Sequence, residues 1–152
     1  MNTSSINILI ADDDKEDALL LTEALQDVLP SCKCIHTIDG ITALRCIKND
    51  VTPDIVFLDL NMPLKNGIHC LKDIHHLDLL PDTPIIIYST SHNMKDIKVA
   101  DEYGAAFYIV KPSSFNELNK IISRAVELLG RPSGERLKKS DFVLREKTFN
   151  YS

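Results

Sequence analysis

The sequence predicts a doubly wound α/β domain with a parallel sheet. Five short apolar runs alternate with five amphipathic segments between residues 6 and 130. Strict alternation implies right-handed crossovers, parallel strands and helices on both faces. The central run, Ile55-Val56-Phe57-Leu58, has no polar alternation, which suits a strand buried on both faces. It leads straight into Asp59 and turns at Met62-Pro63. Asp59 therefore stands at the carboxyl end of a strand, where open α/β sheets bind their ligands. Aspartate is also an ordinary turn former, so its meaning depends on what the other strands bring beside it.

The elements follow in order. Ile6–Ala11 reads as the first strand and ends at Asp12-Asp13-Asp14. A helix follows, with Ala18, Leu19, Leu21, Leu25 and Val28 or Leu29 on or near one face, Asp14 as its N-cap, and Pro30 as its stop. Cys34–Ile38 is a weaker strand, Asp39-Gly40 a turn, and Ile41–Lys48 a short helix with Ala43, Leu44 and Ile47 inward. After the central strand, Ile68–Leu77 carries Ile68, Leu71 and Ile74 inward. Ile85–Tyr88 is the fourth strand and ends in Ser89-Thr90-Ser91. Met94–Tyr103 is a helix closed by Gly104, and Ala106–Val110 is the fifth strand, ending at Lys111-Pro112. Ser113 or Ser114 caps a last amphipathic helix that includes Leu118, Ile121, Ile122, Ala125, Val126 and Leu129.

The expected organisation is one domain over residues 6–130 and a C-terminal tail over 131–152, partly ordered or flexible. In the tail, Leu137, Phe142, Val143, Leu144, Phe149 and Tyr151 are too apolar for a pure linker. They suit an added strand or helix, or docking on a partner. The tail holds six basic and three acidic residues, which leaves −8 of the net −5 on residues 1–130. An acidic body argues against nucleic-acid binding. No apolar run approaches the ~20 residues a bilayer span requires, and Met1–Ile6 is no signal peptide. Cys32, Cys34, Cys46 and Cys70 lack zinc spacing, so reduced cysteines and a cytoplasmic location are expected.

The strand ends carry the chemistry. Strand one ends in Asp12 and Asp13, strand three in Asp59, strand four in Ser89 and strand five in Lys111. Each alone is a cap, a turn former or a surface charge; in a parallel sheet they converge. Crowded carboxylates repel one another, and a hard divalent cation such as Mg²⁺ relieves the repulsion. The cation, Lys111 and the Ser89 hydroxyl suit the oxygens of a transferring phosphoryl group, with Asp59 as nucleophile. No GxxxxGK[ST] loop occurs, so a nucleotide site is not indicated. Spacing alone leaves two choices open: Asp12 with Asp13 or Asp13 with Asp14 for the cation, and Ser89 or Thr90 for the hydroxyl.

Ile8–Asp14, Phe57–Pro63, Tyr88–Ser91 and Tyr108–Pro112, in that order on those elements, resemble the receiver domains of two-component response regulators. The resemblance covers roughly residues 6–129 and implies a flavodoxin-like sheet of order 2-1-3-4-5. It implies that Asp59 accepts a phosphoryl group from a phosphohistidine on a sensor histidine kinase or histidine phosphotransfer protein. It further implies Mg²⁺ held directly by Asp13, Asp59 and the Asn61 carbonyl, with Asp12 acting through water. Lys111 then pairs with the phosphoryl group, and the Lys111–Pro112 bond resembles one that is cis in the family. Ser89 and Tyr108 form the switch, and Asn61 and Ser91 tune hydrolysis of the acyl phosphate. A stand-alone signalling switch acting on a downstream protein is expected, rather than a metabolic enzyme. A Mg²⁺-dependent phosphohydrolase with an aspartyl nucleophile would need a second carboxylate two residues on, where Asn61 stands.

Overall fold

The structure is a computed structural model that describes residues 5–49, 52–131 and 142–146. The apolar runs form strands because their β-branched and aromatic residues pack well on a pleated surface. The chain runs β1 (Asn7–Ala11), α1 (Lys15–Val28), β2 (Lys33–Thr37), α2 (Gly40–Asn49), β3 (Ile55–Leu58) and α3 (Gly67–His76). It continues through β4 (Ile85–Ser89), α4 (Met94–Glu102), β5 (Phe107–Val110), α5 (Phe115–Leu129) and β6 (Val143–Leu144). The sheet order is β2-β1-β3-β4-β5-β6, and every neighbouring pair is parallel. The expected order is thus present, with a sixth strand added beyond β5.

Alternation along each strand splits the core in two. Ile8, Ile10, Phe57, Ile86 and Ile109 face α1 and α5. Leu9, Val56, Leu58, Ile87 and Tyr108 face α2, α3 and α4. Both faces of the sheet are therefore covered, which is why β3 reads as an unbroken apolar run.

Two local expectations shift. Leu19 of α1 is 58% exposed, and Ala24 joins Ala18, Leu21 and Leu25 on the buried stripe, because residues 18 and 19 lie ~100° apart around a helix. The second strand starts at Lys33 and stops at Thr37, the last residue paired with β1, which leaves Ile38 outside it and exposed. Gly104 closes α4 with φ of 85°, the left-handed geometry that favours glycine at that place.

Of the apolar tail residues, Phe142, Val143 and Leu144 lie within the described residues. Phe142 joins the core on the α2–α4 side and Leu144 the core on the α1–α5 side. Leu137, Phe149 and Tyr151 lie outside the described residues. Among the described residues, no helix is long and apolar enough to cross a membrane.

Candidate functional site

The sheet ladder continues one residue beyond three strands, and this fixes the site. The Asp12 amide donates to the Thr37 carbonyl at 2.9 Å, Asp59 to Ala11 at 2.8 Å, and Lys111 to Ser89 at 2.8 Å. Their backbones are thus held in register at the carboxyl edge, and the side chains converge above β1 and β3.

Oxygen atoms of Asp12, Asp13 and Asp59 all lie within 4.8 Å of one another. Asp14 is occupied elsewhere: its Oδ1 accepts from the Glu16 and Asp17 amides at 3.0 and 3.1 Å and caps α1. Asp12 is buried and anchored, its Oδ1 accepting from the Asp14 amide at 2.9 Å. Asp13 is exposed. This donor set is all hard oxygen, with one ligand open to solvent, and so fits a hydrated divalent cation.

Lys111 reaches into the cluster with a side chain only 8% exposed. Its Nζ donates to Asp12 Oδ2 at 2.8 Å, Asp17 Oδ2 at 2.9 Å and Asp59 Oδ2 at 3.5 Å. It also lies 5.1 Å from the centroid of the Tyr88 ring. Burial opposes the lysine charge, but the bonds to Asp12 and Asp17 and the nearby carboxylate charges together outweigh it. The ammonium is held well above the ordinary lysine value.

Asp59 experiences the opposite balance. Burial pushes its carboxyl up, the Lys111 charge pulls it down, and the Asp12 charge pushes it up again, to about 6. Burial is thus the main reason the carboxyl stands above its ordinary value, with the Lys111 charge holding it down more than the Asp12 charge lifts it. The backbone leaves Asp59 little room to move, because a Cβ at Gly67 would stand 2.0 Å from the Asp59 carbonyl oxygen. The glycine at the start of α3 thus lets that helix press directly against the strand end.

Ser89 closes β4, opposite Val110, and is fully buried; Thr90, one residue on, is exposed. The Ser89 Oγ accepts from the Ser91 amide at 3.2 Å. Tyr108 is fully buried, and its hydroxyl donates to the Ser91 carbonyl at 2.9 Å. Ser91 Oγ in turn donates to Asp96 Oδ2 at 2.7 Å, linking the strand end to the first turn of α4. The Asn61 amide donates weakly to Asp59 Oδ1 at 3.5 Å. One expectation is corrected: no described peptide bond is cis, so Lys111–Pro112 is trans here.

Two contacts were not foreseen from sequence. Asp17 is a second anion for Lys111, and its signal was its place one turn after the strand-one aspartates. Glu146 accepts from the Ser113 amide at 2.9 Å and from the Ser113 hydroxyl at 3.0 Å. It lies 33 residues from Ser113, and no local pattern announces it.

Comparison with known proteins gives the family. Residues 8–123 match the family model of the response regulator receiver domain. The chain belongs to that family, the receiver domains of two-component signalling, which act as signalling switches. Response regulator Rcp1 of Synechocystis sp. is 29% identical over 121 residues, covering 76% of this chain and 82% of Rcp1. Regulatory protein AtoC of Escherichia coli is 33% identical over 126 residues, covering 83% of this chain but only 26% of AtoC. Among solved structures, the phosphorylated cyanobacterial phytochrome response regulator RcpA matches with a TM-score of 0.76 at 27% identity. That match covers 86% of this chain and 98% of RcpA. The Mn²⁺-bound form of Rcp1 matches with a TM-score of 0.74 at 28% identity, covering 84% and 99%.

Proposed function

We propose that this receiver accepts a phosphoryl group on Asp59 from a phosphohistidine of a sensor histidine kinase or histidine phosphotransfer protein. The observation that carries this reading is the meeting of Asp12, Asp13 and Asp59 within 4.8 Å beside the buried Lys111 ammonium. A carboxylate so placed has a cation site on one side and a fixed positive charge on the other.

The Asp59 carboxylate attacks phosphorus, the bond from phosphorus to the histidine nitrogen breaks, and the ring nitrogen departs with its electron pair. With its carboxyl near 6, Asp59 is mostly ionised at neutral pH and ready to attack. Lys111 neutralises phosphoryl oxygens as they approach, exchanging part of its hold on Asp12 and Asp17 for them. Asp12, Asp13, Asp59 and the Asn61 carbonyl would hold Mg²⁺, which supplies charge neutralisation for the carboxylate and the transferring group. The Mn²⁺ in the Rcp1 structure supports a divalent cation at such a site.

Ser89 and Tyr108 then form the switch. A phosphoryl group adds charge and acceptor oxygens at Asp59, and the Ser89 hydroxyl turns toward them, giving up the Ser91 amide. Tyr108, tied to the Ser91 carbonyl, follows that rearrangement. The surface around α4 and β5 thereby changes its affinity for a downstream protein. Asn61 and Ser91, which stand where the family's receivers carry such residues, tune its hydrolysis.

The test is incubation with acetyl phosphate and Mg²⁺, read by intact-mass spectrometry. One labile phosphoryl group is expected on the wild type and none on Asp59→Asn. Absence of any adduct on the wild type overturns the reading.

A further inference from the structure

The segment after the five-stranded core has no part in the function described so far, yet it touches the site's own scaffold at two places. The Tyr108 amide donates to the Phe142 carbonyl at 2.8 Å, and β6 then runs beside β5 with Tyr108 opposite Val143 and Ile109 opposite Leu144. Two residues past β6, the Glu146 carboxylate takes both the amide and the hydroxyl of Ser113. Ser113 lies two residues after Lys111 and immediately before Ser114, the N-cap of α5.

The loop that carries Lys111 is therefore held at both ends. At its start, the Lys111 amide is bonded to the Ser89 carbonyl, and Pro112 has its φ fixed by its ring. Ser113 is the next residue, just before the N-cap Ser114, and Glu146 grips it by two bonds. A carboxylate there also faces the amino end of α5, where the helix dipole favours negative charge. Lys111 needs such a hold, because its Nζ must move from aspartate oxygens to phosphoryl oxygens without losing its aim. Misplacing a reacting or stabilising group by ~1 Å costs up to ~10²-fold in rate.

We propose that Glu146 is a positioning residue for phosphoryl transfer, acting through Ser113 to hold the loop that aims Lys111. The inference rests on the reading of Asp59 as phosphoacceptor. Glu146 touches neither Asp59 nor the carboxylate cluster in any bond described above; its effect runs through the backbone.

The test is the rate of phosphorylation by acetyl phosphate in saturating Mg²⁺, measured for wild type, Glu146→Ala and Glu146→Gln. Glu146→Ala is expected to lower the maximal rate roughly 3- to 10-fold, a fraction of the cost of full misplacement. The half-saturating donor concentration and the Mg²⁺ affinity should stay at wild-type values, while the Tm falls by no more than the few degrees that losing an exposed acceptor beside a helix N-terminus costs. Glu146→Gln should retain most of the rate, because its amide oxygen accepts from the Ser113 amide and its amide nitrogen donates to the Ser113 hydroxyl. An unchanged rate in Glu146→Ala overturns the inference, as does an equal fall in both variants. A fall accompanied by lost Mg²⁺ affinity, or by a Tm loss large enough to unfold the protein at the assay temperature, overturns it in favour of a merely structural role. If the wild type takes no phosphoryl group, the Asp59 reading itself fails and this one with it; a phosphorylated wild type with an unaffected Glu146→Ala overturns this one alone.

Discussion

Lys111 and Asp12 stand 99 residues apart in sequence, yet the lysine Nζ lies 2.8 Å from the aspartate Oδ2, with both side chains less than a tenth exposed. A buried pair of this kind is costly to break from one side, because the surviving charge is left without compensation.

Replacing Lys111 by Met is therefore expected to destabilise the metal-free protein by about 3–5 kcal/mol, leaving Asp12, Asp17 and Asp59 to repel one another. Added Mg²⁺ should restore more stability to this variant than to the wild type, since the cation takes over part of the neutralisation. Thermal unfolding with and without Mg²⁺ measures both effects, and phosphorylation by acetyl phosphate should fall sharply in the same variant.

Asp59 gives a pH dependence of defined sign. Its folded-state carboxyl sits near 6, above the ordinary 3.8, so the stability it contributes is complete below about 3.8 and is lost as pH rises through about 6. Asp59→Asn carries no such loss. It should exceed the metal-free wild type in stability by up to about 3 kcal/mol at pH 7.5, with the advantage fading toward pH 4. Denaturant titrations across that range check the window, and saturating Mg²⁺ should shrink the difference.

Gly67 tests how tightly α3 is set against the strand end. A methyl group there meets backbone rather than a flexible side chain, so Gly67→Ala must push α3 and Asp59 apart. A loss of about 1–3 kcal/mol is expected from overpacking, together with weaker Mg²⁺ binding. A variant of wild-type stability and wild-type Mg²⁺ affinity would show that the contact is easily relieved.

Ser89 and Thr90 separate by alternation along β4. Ser89→Ala removes a buried acceptor and leaves the Ser91 amide without its bond, a cost of about 1–3 kcal/mol. Thr90→Ala, at an exposed position, should stay within about 0.5 kcal/mol of wild type. Chemical denaturation distinguishes the two, and only Ser89→Ala should blunt the change in Tyr108 environment on phosphorylation.

Much of this architecture was legible because its signals are local. The unbroken apolar run of β3 announced a strand covered on both faces, and Asp12, Asp59 and Lys111 followed from where such runs stop. Ser89 is buried and Thr90 exposed, the alternation expected along β4. In the structure Asp14 caps α1 while Asp12 joins Asp13 and Asp59, a division that spacing alone leaves open. What stayed hidden depends on chain reversal over long separations. Asp17 meets Lys111 only because the lysine side chain reaches across the strand ends to the first turn of α1, and Glu146 reaches Ser113 only because β6 returns to β5. The backbone clearance at Gly67 was equally invisible, since Asn66-Gly67 reads simply as a turn. The Lys111–Pro112 bond is trans where the resemblance implied cis.

The sixth strand has a further consequence for how the protein behaves at high concentration. Without it, Phe107-Tyr108-Ile109-Val110 would form the rim of the sheet, a run of strongly β-forming residues with unpaired amides and carbonyls. Such a rim templates association with other chains. Val143 and Leu144 occupy it, and among the described residues the rim that remains is two residues long. On the opposite side, β2 presents the exposed Lys33 and His36, and a charge on a bare edge discourages pairing. Phe142→Ala, by loosening β6, should therefore promote light scattering in concentrated samples before it measurably alters the chemistry at Asp59.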